Sequence, residues 1–419
     1  MLGALAALPA ISTDVYLPSL PAVAEDLQAS QAATQFTMSG MLIGAGVGQL
    51  VIGPFSDRYG RRLPLLIGIS LHVVTSLLCS ITPDIGTLIW LRVAQGFFNA
   101  AASVVAIAVI RDRFVGSEAA RLLSRLMLVI GVAPLFAPTL GQAIAGAWQW
   151  RAVFYALALI GLLLVVVVWR FMPESLPPEQ RRPGDPRQVA GGYAALLRDR
   201  HFMALAVIPG LGLAVIMSYV VGSPFVFQDR YGLSQGQFAA VFAINGAAIV
   251  GSAQLNAALV RRAAPVRVLR IAVVVQVCCA LVLLCIVLTG FGGIVGLVAG
   301  LWLVLGTQGM IPANASVLAL HHYGHMAGTA AVIGSLQSGV AGLVSPFVGL
   351  LGGGPVAMVC VMLAAAALTL LVLATGTPAY RAGGWRERDG MEPGPTTTAT
   401  GTEEREAEQV QAQGPDQRS

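Results

Sequence analysis

Long apolar runs separated by short polar breaks set the pattern of this chain. At roughly 20 residues per bilayer crossing, twelve runs qualify. They fall near residues 2–23, 34–54, 64–82, 86–110, 120–145, 151–172, 202–225, 236–258, 267–288, 293–318, 327–351 and 355–375. The expected fold is therefore an all-α membrane protein with twelve transmembrane helices. The first run passes into STDVYLP without a small-residue cleavage site, so no cleaved signal is expected.

Two stretches break the pattern for longer. Residues 173–200 are rich in proline and mixed charge and read as a cytoplasmic linker between six spans (1–172) and six more (201–375). Residues 376–419 are polar and poor in large apolar side chains, the composition of a disordered cytoplasmic tail. The two sets of spans echo each other faintly. Gln95-Gly96 with Asn99 in span 4 matches Gln308-Gly309 with Asn314 in span 10, and the match sets Leu305 opposite Arg92. Repeated halves with sites at their interface are a common transporter plan.

Composition agrees with the bilayer reading: 56% of the 419 residues are hydrophobic and 11% charged, against roughly 25% charged in soluble domains. The net charge of +5 comes with no lysine at all, so it is read by position and gives no case for nucleic acid. Arginines crowd one set of loops: Arg58, Arg61 and Arg62; Arg111, Arg113, Arg121 and Arg125; Arg170 through Arg200; then Arg261, Arg262, Arg267 and Arg270. The opposite side keeps Arg92, Arg151 and Arg230. By the positive-inside rule both termini are expected in the cytoplasm of a cell with a plasma (inner) membrane. Five cysteines lie inside apolar runs without metal-ligand spacing and read as packing residues.

The break GPFSDRYGRR (53–62) packs Gly53, Asp57, Arg58, Gly60, Arg61 and Arg62 into the pattern G-x3-D-R-x-G-R-R. Two glycines suit a tight turn, the arginines hold it at one membrane face, and Asp57 can pair with a nearby cation or helix N-terminus as helices tilt. This stretch resembles the signature loop between spans 2 and 3 of the major facilitator superfamily, and the resemblance implies two six-helix pseudo-repeat halves and a gating role for the loop.

Asp14 is the acidic residue expected well inside a span, where a charge costs roughly 2.5–3.5 kcal/mol on insertion scales. Hydrogen bonding to backbone freed by Pro18 and Pro21 is the structural alternative to a functional role. Arg92 is its natural partner: it lies about six residues, roughly 9 Å, into span 4, and Asp14 lies about nine residues, roughly 13 Å, below the same face. Burial favours a neutral carboxyl and a neighbouring cation a charged one, opposed influences that suit proton coupling. The string from Arg92 to Gly96 also resembles the R-x-x-Q-G motif of span 4 in facilitator-type transporters.

Span 5 carries Gly131, Pro134, Pro138 and Gly141 in GVAPLFAPTLGQAIAG. This resembles the antiporter motif of proton-driven drug exporters, with Ala137 and Gln142 standing where glycine is common. STDVYLPSLP and WQWR (148–151) sharpen the likeness to the bicyclomycin and chloramphenicol resistance (Bcr/CflA) branch of the drug:proton antiporters. The resemblance implies a monomeric, cofactor-free exporter whose partners are protons and lipophilic small molecules. Tyr16, Gln35, Met38, Gln95, Asn99, Tyr219, Phe225, Asn245, Gln308, Asn314 and Gln337 are candidates for the substrate wall. A facilitator of a native metabolite such as a sugar or amino acid, or a non-transporting receptor, remains an alternative. A membrane enzyme is disfavoured, because the sequence offers no embedded nucleophile–base pair. His321, His322 and His325 read as a solvated loop between spans 10 and 11.

Overall fold

A computed structural model describes the backbone of residues 1–181, 186–323, 326, 328–377 and 380, and the side chains of these except 117, 120, 124, 127, 128, 131–135, 186 and 235. The described residues form helices and no strand. Nine helices among them are long and apolar enough to cross a membrane. These are α3 (Gln31–Tyr59), α4 (Arg62–Ser80), α5 (Ile85–Arg113), α7 (Arg151–Phe171), α9 (Arg200–Pro224), α10 (Gln235–Leu259), α11 (Pro265–Thr289), α14 (Thr329–Val344) continued by α15 (Phe347–Leu350), and α16 (Pro355–Gly376).

The other three expected spans are also helical, and two of them are broken. Span 1 is α1 (Leu2–Asp14) followed by a 3₁₀ turn at Leu17–Ser19 and α2 (Leu20–Asp26). Pro18 and Pro21 cause this, because proline supplies no N–H and crowds the preceding turn. Span 5 is the 33-residue α6 (Gly116–Trp148). Span 10 is α12 (Gly293–Leu305) and α13 (Ile311–Tyr323), parted by the Gly306–Met310 turns just before Pro312.

Glycine decides how closely the helices pack. A Cβ on Gly44 of α3 would lie 1.9 Å from the Val93 carbonyl oxygen of α5, and one on Gly96 of α5 would lie 2.0 Å from that of Met41 on α3. The sequence echo is repeated here in space: a Cβ on Gly309 would lie 2.3 Å from the Ala253 nitrogen of α10. Spans 4 and 10 thus meet spans 2 and 8 backbone to backbone, as small residues permit in membranes. Between the halves α3 lies along α14. Ser39 Oγ and Ser345 Oγ are 3.1 Å apart, and Gln49 Nε2 donates to Ser338 Oγ at 3.2 Å.

Three sequence expectations change. The ten-residue break at 53–62 is mostly helix: α3 runs to Tyr59, and only Gly60 and Arg61 lie between α3 and α4. Gly60 makes the turn at φ +91, whereas Gly53 is helical. The stretch 173–200 contains the helix α8 (Pro186–Arg198), favoured by its alanines and leucines and by proline in the first turn. Tyr193 of α8 donates to the Leu50 carbonyl at 3.0 Å. His321 and His322 lie in the last turn of α13 rather than a loop, with the His201 ring 5.8 Å from that of His322. His325, and the tail apart from 376, 377 and 380, lie outside the described residues.

The glycine contacts generate a paired test. Gly44→Ala should lower stability by about 1–3 kcal/mol or more, the cost of overpacking. Gly53→Ala, where a Cβ meets nothing within 4 Å, should leave stability unchanged or raise it by about 0.5–1 kcal/mol through helix propensity. Thermal unfolding of the two purified variants in detergent measures both, and equal melting temperatures would count against glycine-set packing.

Candidate functional site

The site grows from Arg92, which is fully buried on α5. Its Nη1 donates to Gln95 Oε1 at 2.6 Å and to the Ser12 carbonyl at 3.2 Å, and its Nη2 lies 3.8 Å from Met38 Sδ. The guanidinium carbon sits 4.8 Å from the Tyr16 ring centroid and 5.7 Å from that of Phe154, a double cation–π contact. Gln95 Nε2 passes the chain on to Ser76 Oγ at 2.6 Å, and Ser76 Oγ donates to the His72 carbonyl at 2.7 Å. Tyr16 is held in place by Thr37, hydroxyl to hydroxyl at 3.1 Å.

Asp14 ends α1, two residues from Ser12 and from Tyr16, but is not part of this cluster. No ion pair joins it to Arg92, so of the direct pair or water-bridged relay that their similar depths permit, the direct pair is absent from this structure. The geometry of the helix end explains this. Tyr16 turns toward Arg92, and residues two apart on a helix do not share a face. Among the described residues the Asp14 side chain, only 6% exposed, has no hydrogen-bond partner. Immediately after it the Val15 carbonyl meets α6, where a Cβ on Gly141 would lie 2.0 Å from that oxygen. Of the span-5 motif, Gly141 therefore has a defined role, holding α6 against the end of α1. Pro138 lies on the same helix, and the side chains at 131 and 134 lie outside the described residues.

The substrate-wall candidates are buried except Gln337, which is half-buried. Several are already engaged: Gln35 Nε2 donates to the Val221 carbonyl at 3.2 Å, Asn245 Nδ2 to Tyr219 Oη at 3.2 Å, and Asn314 Nδ2 to Asn256 Oδ1 at 2.6 Å. Tyr219 stacks on Phe242, and Phe225 packs in the same apolar core. Asn99 and Gln308 are different, because neither amide atom of either has a partner among the described residues. Each belongs to the sequence echo, Asn99 in span 4 and Gln308 in span 10, while their counterparts Asn314 and Gln95 are hydrogen-bonded.

The arginine-rich ends of α3, α4, α5 and α7 form a second cluster. Arg61 Nη1 donates to Asp57 Oδ1 at 2.5 Å and Ser56 Oγ at 2.9 Å, and its Nε donates to Asp112 Oδ2 at 2.8 Å. The Glu174 carboxylate accepts the backbone N–H groups of Arg61 at 2.8 Å and Arg62 at 3.2 Å. Gly60 lies so close that a Cβ there would come within 2.5 Å of Glu174 Oε2. Arg62 reaches the Trp169 carbonyl, while Arg58 lies over its neighbour Tyr59. Asp57 thus has the cation partner expected of it.

Residues 2–346 match the Major Facilitator Superfamily. The chain belongs to that family. It is 38% identical to the uncharacterized MFS-type transporter YdgK of Bacillus subtilis over 84% of this chain and 88% of that one. To the bicyclomycin resistance protein homolog of Haemophilus influenzae it is 30% identical over 83% and 87%. A match to the multidrug resistance protein MdtL of Escherichia coli is 29% identical and covers 55% and 58%. These relatives agree with the Bcr/CflA resemblance. A D-xylose-proton symporter superposes with a TM-score of 0.67 at 18% identity, covering 88% and 95%, and human organic anion transporter MFSD10 with 0.62 at 22%, covering 88% and 97%. At such identities the two structures show the fold alone.

As an integral membrane protein of this superfamily, the chain also holds buried or paired polar residues that its sequence pattern did not single out. Asp112 and Glu174 complete the Arg61 cluster, and their signal was an acid set among the arginines and prolines that close spans 4 and 6. His72 and Gln276 are fully buried with both side-chain polar atoms unpartnered among the described residues. Neither stood out in an apolar run.

Glu174 supplies a pH test. Burial pushes its carboxyl up, but the N–H donors of Arg61, Leu176, Arg62 and Ser175 outweigh this and hold it below the usual glutamate range. A depressed folded value stabilises above the unfolded pKa of about 4.3, and that stability is lost as pH falls through the folded value. Glu174→Gln should therefore melt below wild type at pH 7, with the gap closing below about pH 4. A gap independent of pH would show that the carboxylate's charge is irrelevant.

Proposed function

We propose that this chain is a proton-coupled exporter of lipophilic small molecules, antibiotics among them. The observation that carries the reading is Asp14, a buried carboxyl without a protein partner, one residue from where Gly141 of the antiporter-like motif presses on α1. The names borne by the Haemophilus and Escherichia relatives support the substrate class. The arginine-rich ends would face the cytoplasm, in keeping with the positive-inside rule. Residues 1–172 and 201–375 would rock as two bodies joined through 173–200, each carrying both termini inward in a plasma-membrane monomer.

In this reading Asp14 is the proton carrier and Arg92 its sensor. A proton arriving from outside neutralises Asp14 and leaves Arg92 on the Ser12 carbonyl, the arrangement described above. Loss of the proton toward the cytoplasm would create a buried anion at the end of α1, whose Ser12 carbonyl already accepts from Arg92. Arg92 then exchanges a neutral carbonyl for a carboxylate, a stronger charge-assisted contact, and the end of α1 shifts against α5. Because α1 also abuts α6 at Gly141, the shift reaches the span that carries the antiporter-like motif. Asn99 and Gln308 offer the unspent hydrogen-bonding groups that a small polar substituent on a lipophilic drug would meet. The Arg61 cluster would open and close with the inward gate.

The test uses sealed vesicles with an imposed pH gradient. One-for-one exchange of a neutral drug against one proton can sustain up to about a tenfold drug gradient per pH unit, since about 1.4 kcal/mol is tenfold. Chloramphenicol in wild-type vesicles should approach that limit and collapse with an uncoupler. Asp14→Asn should bind the drug yet sustain no gradient. Equal gradients in wild type and Asp14→Asn would move coupling to another residue, and no gradient for any lipophilic drug in wild type would refute export.

A further inference from the structure

The membrane-facing surface of the second half is uneven. In α10 and α11 only 28% of the apolar stretch is covered by protein, against 39–83% for the other seven helices long and apolar enough to cross a membrane. Between them and α12 runs a groove of about 590 Å³. Its lining is mostly apolar, with the hydroxyls of Ser252 and Thr307, and at one end Arg267 is its single charged residue. From Arg267 to Cys279 the groove follows twelve positions of α11, about 18 Å at 1.5 Å per residue. One leaflet of a hydrocarbon core is about 15 Å deep. The groove is therefore one leaflet long, with a guanidinium at its mouth.

Two further observations give it a chemistry. Arg267 has no acid partner among the described residues, and the exposed Arg261 and Arg262 lie on the adjoining turn between α10 and α11. A neighbouring groove of about 560 Å³ continues toward the other leaflet past Trp302 and Leu303, lined by Val241, Ile244 and residues of α12, with no charge at all. The same helices thus offer apolar surface to both leaflets and a cation to only one. Gly251 keeps the charged groove open, since a Cβ there would meet no atom within 4 Å.

We propose that this groove is a binding site for an anionic phospholipid of the arginine-side leaflet, its phosphate on Arg267 and one acyl chain laid between α10 and α11. Basic pockets between membrane helices select anionic headgroups in this way. The groove opens along its length onto hydrocarbon, so lipid is its standing occupant and the arginine sets which lipid stays. The acyl chain would end against Gly306, Thr307 and Met310, the break in span 10, and so support the least regular part of that span.

Native mass spectrometry of the full-length protein in detergent tests this, with phosphatidylglycerol and phosphatidylcholine of matched acyl chains. Wild type should retain phosphatidylglycerol in preference, and Arg267→Gln should cut that preference about fivefold, the worth of one arginine near an anionic surface. Arg267→Lys should restore it. Gly251→Leu, which fills the groove without meeting protein, should remove one bound lipid of either kind. Equal retention of the two lipids by wild type, or a preference untouched in Arg267→Gln, would overturn the proposal. So would displacement of phosphatidylglycerol by chloramphenicol, which would assign the groove to transported drug.

Discussion

One buried guanidinium organises the first half of this protein. Moving an arginine out of water costs several kcal/mol even after relaxation, and Arg92 has no exposed surface with which to lessen that cost. The chain meets it with neutral groups: a carbonyl from α1, an amide on α5, a sulfur from α3, and two aromatic faces from the end of α1 and from α7. Each partner is fixed in turn, Gln95 by Ser76 of α4 and Tyr16 by Thr37 of α3. Five helices are therefore oriented by one side chain. They can approach closely enough only because Gly44 and Gly96 place backbone against backbone between α3 and α5. A cation held by neutral dipoles is stable without being committed to a charged partner.

Both ends of this half are pinned by charge as well. At the arginine-rich end Arg61 is shared by Asp57 and Asp112 while Glu174 caps the start of α4. At the opposite end Asp26 accepts from Arg151 and from Trp150 Nε1 at 3.1 Å, and Arg151 Nη2 donates to the Thr82 carbonyl at 3.3 Å. Arg151, whose hydrogen bond comes first, holds the Asp26 carboxyl below the usual aspartate range. These contacts join the ends of spans 1, 3 and 6, which brings WQWR from a family likeness to a structural part.

Much of this was legible in the sequence because membrane physics leaves few choices. Apolar length gave the spans, arginine position gave a common face for the loops, and a lone acid and a deep arginine marked the first-half core. What was not legible depended on helix phase and on neutral partners. Asp14 and Arg92 were matched by depth, but depth says nothing of the direction in which two side chains point. Ser12 contributes a carbonyl and Ser76 a hydroxyl, groups that carry no signal in a run of small residues. The 53–62 stretch read as a loop because it is polar, whereas its Asp57 and Arg61 stand four apart and so share one helical face and its extension.

The two halves share a geometry and divide the chemistry. Gly96 and Gly309 occupy matching contacts, yet Leu305 stands where Arg92 would be, and it too is fully buried. The three ion pairs found among the described residues all lie in the first six spans. The second half has a π-helical turn at Phe225–Arg230 and the Gly306–Met310 break, where regular backbone hydrogen bonding is interrupted, as it is in span 1 of the first half. Interrupted helices bend at little cost, and pinned ones do not. The first half thus joins a charge-pinned periphery to one broken span, and the second carries breaks without ion pairs among the described residues. With α3 lying along α14, the two halves meet through helices that are themselves continuous, so the breaks in spans 1 and 10 lie outside that seam.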